Sequence, residues 1–202
     1  MGKLVTVVGN AGVGKTTLTE QLCGALPLMH GLEQHASRPF QQLFAVDRTR
    51  YALANQIDYL LLRAEQEAAI RQRTGVGMQD GGLDEDFYIF TRFFYQQGYL
   101  SADEFQLCQR MHGLLRHTLP PPDLVIYLTA PLDVVIERHR RRGRTLEIAA
   151  VGDLATLDFL CQAWLRRLDR SPVITVDASA DDPTFAAQMP RLVAAIQSLF
   201  ES

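Results

Sequence analysis

The stretch GNAGVGKTT, residues 9–17, constrains the fold of this chain more than any other part of it. It follows an apolar, β-branched run at residues 4–8 and leads into the helix-like TLTEQLCGAL, so the sequence predicts a strand, a loop and a helix in that order. The spacing fits G-x-x-x-x-G-K-[ST], in which glycines let backbone N–H groups approach a phosphate closely. We therefore predict a phosphate-binding loop made of Gly9, Asn10, Ala11, Gly12, Val13, Gly14, Lys15, Thr16 and Thr17.

A glycine-rich turn that carries a lysine by chance is the alternative interpretation of this loop. Of the 20 basic residues in the chain only Lys3 and Lys15 are lysines, so chance is a poor explanation for a lysine at the position that the motif requires. A lysine there adds a positive charge near the terminal phosphates, and the hydroxyl of Thr16 suits the coordination shell of Mg²⁺.

Size favours one domain, and the net charge implies that any phosphate site is local. The chain has 202 residues, of which 47% are apolar, which is enough for one well-filled core spanning residues 1–202 and short for two domains. A net charge of −3 argues against a nucleic-acid partner. The three cysteines are widely spaced and suggest neither disulfides nor zinc. No membrane-spanning run or signal peptide is evident, so we expect a cytoplasmic protein without a membrane partner.

Strand-like and helix-like segments alternate along the chain, which is typical of a three-layer α/β fold with a parallel sheet of about five strands. The expected strands are residues 4–8, 26–32, 74–80, 123–129 and 172–176, the last two of them buried. The expected helices after the phosphate loop include residues 48–73, a segment opened by the capping box of Ser101 and Glu104, residues 131–142, residues 153–169 and a closing helix. Pro190 either kinks the closing helix or marks its start.

Two acids lie where ligands bind in open α/β sheets, at the carboxyl ends of predicted strands. Glu33 follows the second strand and is a candidate general base, although a solvated loop glutamate explains it equally well. Asp80 ends the third strand, where it either starts a turn or supplies the carboxylate beside a nucleotide-bound Mg²⁺.

Two further patterns have both a structural and a functional interpretation. Gln56 and Arg63 lie on one face of the long helix, which is either an exposed face or a stripe that faces a substrate. The arginine-rich segment at residues 138–150 either places cations at a helix C-terminus or forms a lid over a transferred phosphoryl group.

Several of these segments, in the same order along nearly the whole chain, resemble the deoxynucleoside kinases of the P-loop kinase superfamily. The resemblance lies in GNAGVGKTT, LEQHASRPF, NQIDYLLLR, QDGGLDEDFYIF and ERHRRRGRTLE. It implies that Glu33 is the base for the nucleoside 5′-hydroxyl and that Asp80 is the acid of an acid-Arg-Ser motif. It also implies that the nucleobase and sugar are bound by Gln56, Arg63, Asp86, Phe90 and Glu147, and that the lid arginines are Arg138, Arg142 and Arg144.

The resemblance therefore implies an α/β P-loop NTPase fold with an arginine-rich lid and transfer of a phosphoryl group from ATP, or another nucleoside triphosphate, with Mg²⁺. The acceptor would be the 5′-hydroxyl of a deoxynucleoside, and the protein would be a homodimer. Glu33, Lys15, Arg142 and Arg144 would be catalytic, Arg138 would contact ATP, and Thr16 and Asp80 would lie around the metal.

Three positions depart from the family pattern. Gly81 stands where an arginine helps to hold the 5′-hydroxyl, Ala45 where a tyrosine contacts the 3′-hydroxyl, and Leu146 where the lid usually has an acid. These departures leave open a nucleoside monophosphate as acceptor, as in the similar thymidylate kinases, or another small hydroxyl compound. They also leave open a nucleotide-binding module that has lost efficient catalysis.

Overall fold

Five parallel strands form the central sheet of the computed structural model, which describes residues 1–31, 38–142 and 149–201. They are β1 (Lys3–Gly9), β2 (Met29–Gly31), β3 (Val76–Asp80), β4 (Leu124–Thr129) and β5 (Val173–Asp177). Their order across the sheet is β2-β3-β1-β4-β5. Val7 pairs with Asp80 and Gly9 pairs with Leu128, so β1, β3 and β4 all end at the same edge of the sheet. This edge carries the loop that follows β1.

The helices give the α/β alternation that the sequence predicts. They are α1 (Lys15–Ala25), α2 (Pro39–Val46), α3 (Arg48–Arg71), α4 (Leu83–Glu85), α5 (Arg92–Gln96), α6 (Ala102–Thr118), α7 (Leu132–Arg142), α8 (Leu154–Leu165) and α9 (Met189–Gln197). A π-helical turn (Asp86–Thr91) joins α4 to α5. The capping box forms at the start of α6, where the Ser101 N–H donates to Glu104 Oε2 at 2.7 Å. Pro190 lies in the first turn of α9 and therefore marks its start.

Helices cover both faces of the sheet. Val5 and Val7 of β1 belong to a core cluster that includes residues of α1 and α9, whereas Val8 belongs to a second cluster with residues of α3, α5 and α8. Because successive strand residues point to opposite faces, these two clusters are the two interfaces of a three-layer fold. Among the described residues, no helix combines the length and apolarity needed to cross a membrane.

The prediction that the last strand is buried is wrong. In β5 only Val176 is buried, and Val173 is 40% exposed. The reason is position, because β5 lies at the edge of the sheet and, among the described residues, pairs with β4 alone. An apolar run of β-branched residues predicts a strand, but it does not distinguish a central strand from an edge strand.

A buried ionic cluster fixes α3, α4 and α6 against one another. Arg116 of α6 donates from Nη1 to Glu67 Oε1 and from Nε to Asp84 Oδ1, each at 2.9 Å. His112 Nε2 lies 2.8 Å from the same Asp84 oxygen. Burial raises the pKa of Glu67. Burial also acts to raise the pKa of Asp84, but the hydrogen bond with His112 and the charge of Arg116 together lower it. The cluster holds α4 close to the end of β3.

Candidate active site

The predicted phosphate-binding loop, residues 9–17, has the backbone conformation that its glycines predict. Gly9, Gly12 and Gly14 have φ angles of 148°, 86° and 111°. A Cβ atom on Gly9 would lie 2.4 Å from the carbonyl oxygen of Leu128, so this position has no room for a side chain. The loop turns directly into α1, which begins at Lys15. Its backbone N–H groups therefore lie at the start of a helix, where the helix dipole favours anions.

Two side chains of α1 form contacts at the loop. The Lys15 ammonium donates to the carbonyl oxygens of Gly9 at 2.7 Å and Asn10 at 3.3 Å. The Thr16 hydroxyl donates to Asp80 Oδ2 at 2.5 Å, across the edge between β1 and β3. The structure thus brings together the two residues that the sequence predicts as Mg²⁺ ligands.

A cavity of about 410 Å³ opens in front of the loop. Many of the predicted ATP-binding, substrate-binding and metal-binding residues line it, namely Asn10, Ala11, Gly12, Gly14, Lys15, Thr16, Thr17, Gln56, Arg63, Asp80, Asp86, Phe90 and Arg142. The other lining residues are Gln41, Asn55, Tyr59, Glu85, Phe94 and Ala149, which the sequence reasoning did not single out. A cavity of this size with a few convergent polar groups is typical of a small-molecule site.

The face of α3 that carries Gln56 and Arg63 is buried and lines the cavity, which excludes the exposed-face interpretation. Gln56 Nε2 donates to the backbone oxygen of Asp86 at 3.0 Å, and Arg63 Nε donates to the Asp86 carboxylate at 2.8 Å. The π-helical turn thereby holds Asp86 against α3. Phe90 projects from the same turn into the cavity lining.

Asn55 is fully buried in the cavity wall, and its side-chain amide makes no hydrogen bond within the described part of the chain. Buried amides normally have partners, so this group is suited to donate to and accept from a ligand. The helical spacing of Asn55, Gln56, Tyr59 and Arg63 was the available signal, because it places four polar or amphipathic side chains on one face of α3.

Glu85 is the most consequential residue that sequence reasoning missed. Its side chain is 2% exposed, it accepts a hydrogen bond from the Gly9 N–H at 3.0 Å, and it lies 3.7 Å from the Lys15 ammonium. Burial raises the pKa of Glu85 to about 7, although the Lys15 charge and the Gly9 hydrogen bond act to lower it. Glu85 directly precedes Asp86, but nothing in the sequence distinguishes it from a solvated acid of the same DED run.

A second cavity of about 270 Å³ lies on the other side of the loop and is lined by Arg138, Arg142 and residues 180–183. Arg138 donates to the carbonyl oxygens of Ala178 at 2.6 Å and Ala180 at 2.7 Å. Arg142 lines both cavities. Val13 is almost completely buried, so of the predicted loop residues it can offer a ligand little besides its backbone.

The structure does not bring every position that the sequence singled out into view at the cavity. Glu33, Arg144, Leu146 and Glu147 are outside the described residues, so their roles stay predictions. Ala45 is exposed on α2 and is absent from the lining of the cavity. The aromatic side chains that line the cavity come from other positions, namely Tyr59, Phe90 and Phe94.

The arrangement suits chemistry on a phosphorylated ligand next to a polar organic ligand. The loop amides, Lys15 and Arg142 contribute donors and positive charge to the cavity lining, and the α3 side chains and Phe90 contribute polar and aromatic groups. Among the described residues there is no group of three or more His, Cys, Asp or Glu side chains that could hold a metal ion by itself. Thr16 and Asp80 could hold a Mg²⁺ ion whose remaining oxygen ligands come from a bound phosphate group.

The chain is similar to known proteins in both sequence and overall fold. The family model described as "Deoxynucleoside kinase" matches residues 5–201. A deoxyadenosine/deoxycytidine kinase from Bacillus subtilis (strain 168) is 31% identical over 147 residues, which cover 72% of this chain and 68% of that protein. A deoxyguanosine kinase from Lactobacillus acidophilus is 26% identical over 194 residues, covering 89% and 82%. The structure of a deoxyadenosine kinase from M. mycoides, with the products dCMP and a flexible dCDP bound, superposes with a TM-score of 0.83 at 21% identity, covering 96% and 99%.

Proposed function

Since the chain belongs to the deoxynucleoside kinase family, whose members are phosphotransferases acting on deoxynucleosides, we propose that it transfers the terminal phosphoryl group of ATP to the 5′-hydroxyl of a deoxynucleoside. The observation that carries this proposal is that one cavity joins a phosphate-binding loop to the buried polar face of α3. The family match favours a nucleoside as acceptor over a nucleoside monophosphate.

The donor site comprises the loop amides, Lys15, Thr16 and Asp80. Lys15 reaches the terminal phosphates by leaving its present contact with the Gly9 carbonyl oxygen. Thr16 Oγ1 and Asp80 Oδ2 supply oxygen atoms of the kind that Mg²⁺ prefers, and Mg²⁺ typically takes few protein ligands when nucleotide phosphates complete its shell. When bound, Mg²⁺ neutralises part of the charge on the transferred group.

The outer part of the donor nucleotide fits the second cavity, because that cavity shares Gly12, Gly14 and Thr17 with the first. Arg138 lines it, and we assign Arg138 to contacts with ATP. Another nucleoside triphosphate with the same phosphate chain would use the same loop.

The acceptor site is the part of the cavity lined by α3 and the π-helical turn. Gln56 and Asn55 offer amide groups to the edge of a nucleobase, and Phe90 offers a ring for stacking. The Arg63–Asp86 pair lies at the same wall. We assign Glu147 to the sugar on the basis of the family resemblance.

In the transfer step the 5′-hydroxyl oxygen bonds to the γ-phosphorus, the bond to the leaving ADP oxygen breaks, and Glu33 accepts the hydroxyl proton. Arg142 and Arg144 are assigned to the lid that stabilises the charge spread over the moving phosphoryl group. Correct positioning of the two substrates accounts for most of the rate in such reactions, so Glu33 need only be hydrogen-bonded to the hydroxyl. We also expect a cytoplasmic homodimer that acts in nucleotide salvage.

A substrate panel with a point variant tests this function. Wild-type protein is mixed with ATP, Mg²⁺ and each of the four common deoxynucleosides or their monophosphates, and ADP release is measured. We expect release that depends on a deoxynucleoside, and we expect Glu33→Gln to lower kcat at least 100-fold while the calorimetric Kd for ATP stays within threefold. Glu20→Gln, which changes an exposed glutamate of α1, is the matched control. ATP binding without acceptor-dependent turnover would instead identify a nucleotide-binding module.

A further inference from the structure

A buried cluster lies between the phosphate-binding loop and the end of β3, and its central residue has no role in the scheme above. Its centre is Glu85, which accepts from the Gly9 N–H at 3.0 Å and lies 3.7 Å from the Lys15 ammonium. The Arg63 guanidinium is the third partner, because Arg63 Nη2 and Glu85 Oε2 both lie against the α-carbon of Gly81. One carboxylate therefore contacts the loop backbone and interacts with two cations of the cavity.

The conformation of Gly81 makes this cluster possible. Gly81 has a φ angle of +79°, and a Cβ atom there would lie 2.6 Å from Glu85 Oε2 and 2.9 Å from Arg63 Nη2. The carboxylate and the guanidinium thus lie against the α-carbon of Gly81, in the space that a side chain would occupy. The Gly81 N–H donates to the Val7 carbonyl oxygen at 2.8 Å, which ties this segment to β1.

The location of the cluster relates it to phosphoryl transfer. Gly81 directly follows Asp80, whose carboxylate accepts from the Thr16 hydroxyl. The Arg63 guanidinium therefore lies beside the part of the cavity lined by Thr16 and Asp80, as well as against Asp86. A guanidinium at this end can stabilise charge that develops on a transferred phosphoryl group, provided that its orientation is fixed in advance.

We propose that Glu85 is a positioning residue for phosphoryl transfer, which holds the Lys15 ammonium and the Arg63 guanidinium beside the phosphate-binding loop in the space that Gly81 leaves open. This inference rests on the proposed kinase function. Glu85 contacts the loop and the two cations, so it acts on the reacting groups only through these neighbours.

Electrostatics separates this role from a purely structural one. A negative carboxylate near Lys15 opposes the binding of phosphates, so removing its charge should leave ATP binding unchanged or make it tighter. The same change releases the two cations from their fixed orientation, which should slow the transfer step. A structural role would instead weaken ATP binding and turnover together.

The first experiment uses Glu85→Gln in the full-length protein at about pH 8.5, above the pKa of about 7 that burial gives Glu85, so that the wild-type carboxyl is ionised. Glutamine keeps the size of the side chain and an oxygen that can accept from the Gly9 N–H, so the change removes mainly the charge. We expect kcat to fall at least tenfold while the calorimetric Kd for ATP with Mg²⁺ is equal to or lower than that of wild type. Any other combination of kcat and Kd overturns the proposal.

The second experiment approaches the cluster from Gly81. Gly81→Ala places a Cβ against Glu85 and Arg63, whereas Gly98→Ala, at a φ angle of +71°, meets no atom within 4 Å and reports the backbone strain alone. We expect Gly81→Ala to lower kcat as Glu85→Gln does and Gly98→Ala to keep wild-type kcat. The double variant of Gly81 and Glu85 should lose no more than the worse single variant, because both changes disturb one cluster.

The outcomes distinguish failure of the positioning role of Glu85 from failure of the kinase function. If wild type releases ADP with a deoxynucleoside but Gly81→Ala behaves like Gly98→Ala, the kinase function stands and the role of Glu85 falls. If wild type shows no acceptor-dependent turnover, the kinase function falls and the positioning role falls with it.

Discussion

Replacing Asn55 by leucine should stabilise the ligand-free protein and at the same time damage its use of substrate. Asn55 is fully buried in the cavity wall, and its amide makes no hydrogen bond within the described part of the chain. Leaving such a group unpaired costs about 1–3 kcal/mol, and leucine of similar size does not carry that cost. The ligand-free variant should therefore gain up to about that amount of unfolding free energy.

The gain is large enough to measure by thermal unfolding. For a domain of 150–250 residues, each 1 kcal/mol corresponds to about 2–4 °C in Tm, so Asn55→Leu should melt several degrees above wild type without nucleoside. The variant cannot hydrogen-bond a nucleobase, and a loss of about 1.4 kcal/mol or more corresponds to at least a tenfold fall in kcat/KM for the deoxynucleoside.

Gln56→Leu is the matched control, because it changes the next residue of the same helix and is equally buried. Gln56 Nε2 donates to the backbone oxygen of Asp86, so its replacement removes this hydrogen bond and leaves that oxygen with one fewer donor. It should lower Tm and kcat/KM together. The reasoning would be refuted if Asn55→Leu lowered Tm as Gln56→Leu does, or if it left kcat/KM within threefold of wild type.

Two further predictions concern buried carboxylates. Burial raises the pKa of Glu85 from 4.5 to about 7, so the folded protein favours the protonated carboxyl. The resulting contribution to the unfolding free energy is fully present below about pH 4.5 and is lost as the pH rises through about 7. Relative to Glu85→Gln, wild type should therefore lose roughly 2–3 kcal/mol between pH 5 and pH 8 in urea unfolding without Mg²⁺, and a pH-independent difference would contradict this. The exposed Glu65→Gln should follow wild type. Arg116→Met removes the hydrogen-bonded cation from the fully buried Glu67 and should lower the unfolding free energy by about 3–5 kcal/mol at pH 7. The control Arg110→Met changes an exposed arginine and should alter the unfolding free energy by no more than about 0.5 kcal/mol. Equal urea midpoints for the two variants would argue against the buried pair.

The fold was predictable because its signals are local. A glycine-rich loop between an apolar strand and a helix requires a specific backbone path, and the later strand-like runs could only join the same parallel sheet. What the sequence could not give was position within the sheet, because Val173 and Val125 look alike in their runs although one lies on an edge strand and the other in the core.

The site was predictable where a motif fixes both residue type and place. Lys15, Thr16 and Asp80 follow from the ends of β1 and β3, whose register brings these residues to one edge of the sheet. The sequence did not predict Asn55 and Glu85 as cavity residues, because long-range packing is what buries them in the cavity wall. Helical periodicity identifies a face of α3, but only the tertiary structure shows that this face lines a cavity.

The structure changes the interpretation of Gly81, the position at which the sequence departs from the family pattern. The family resemblance suggests that a guanidinium is missing after Asp80, which would slow phosphoryl transfer. In the folded protein the space above the Gly81 α-carbon is filled by Arg63 and Glu85, with Arg63 Nη2 only 2.9 Å from where a Cβ would lie. A guanidinium is thus present at the end of β3, although it comes from α3. A side chain introduced at position 81 would therefore displace the Arg63 guanidinium. The role of Arg63 at this place depends on the glycine at position 81, and neither residue indicates this by itself in the sequence.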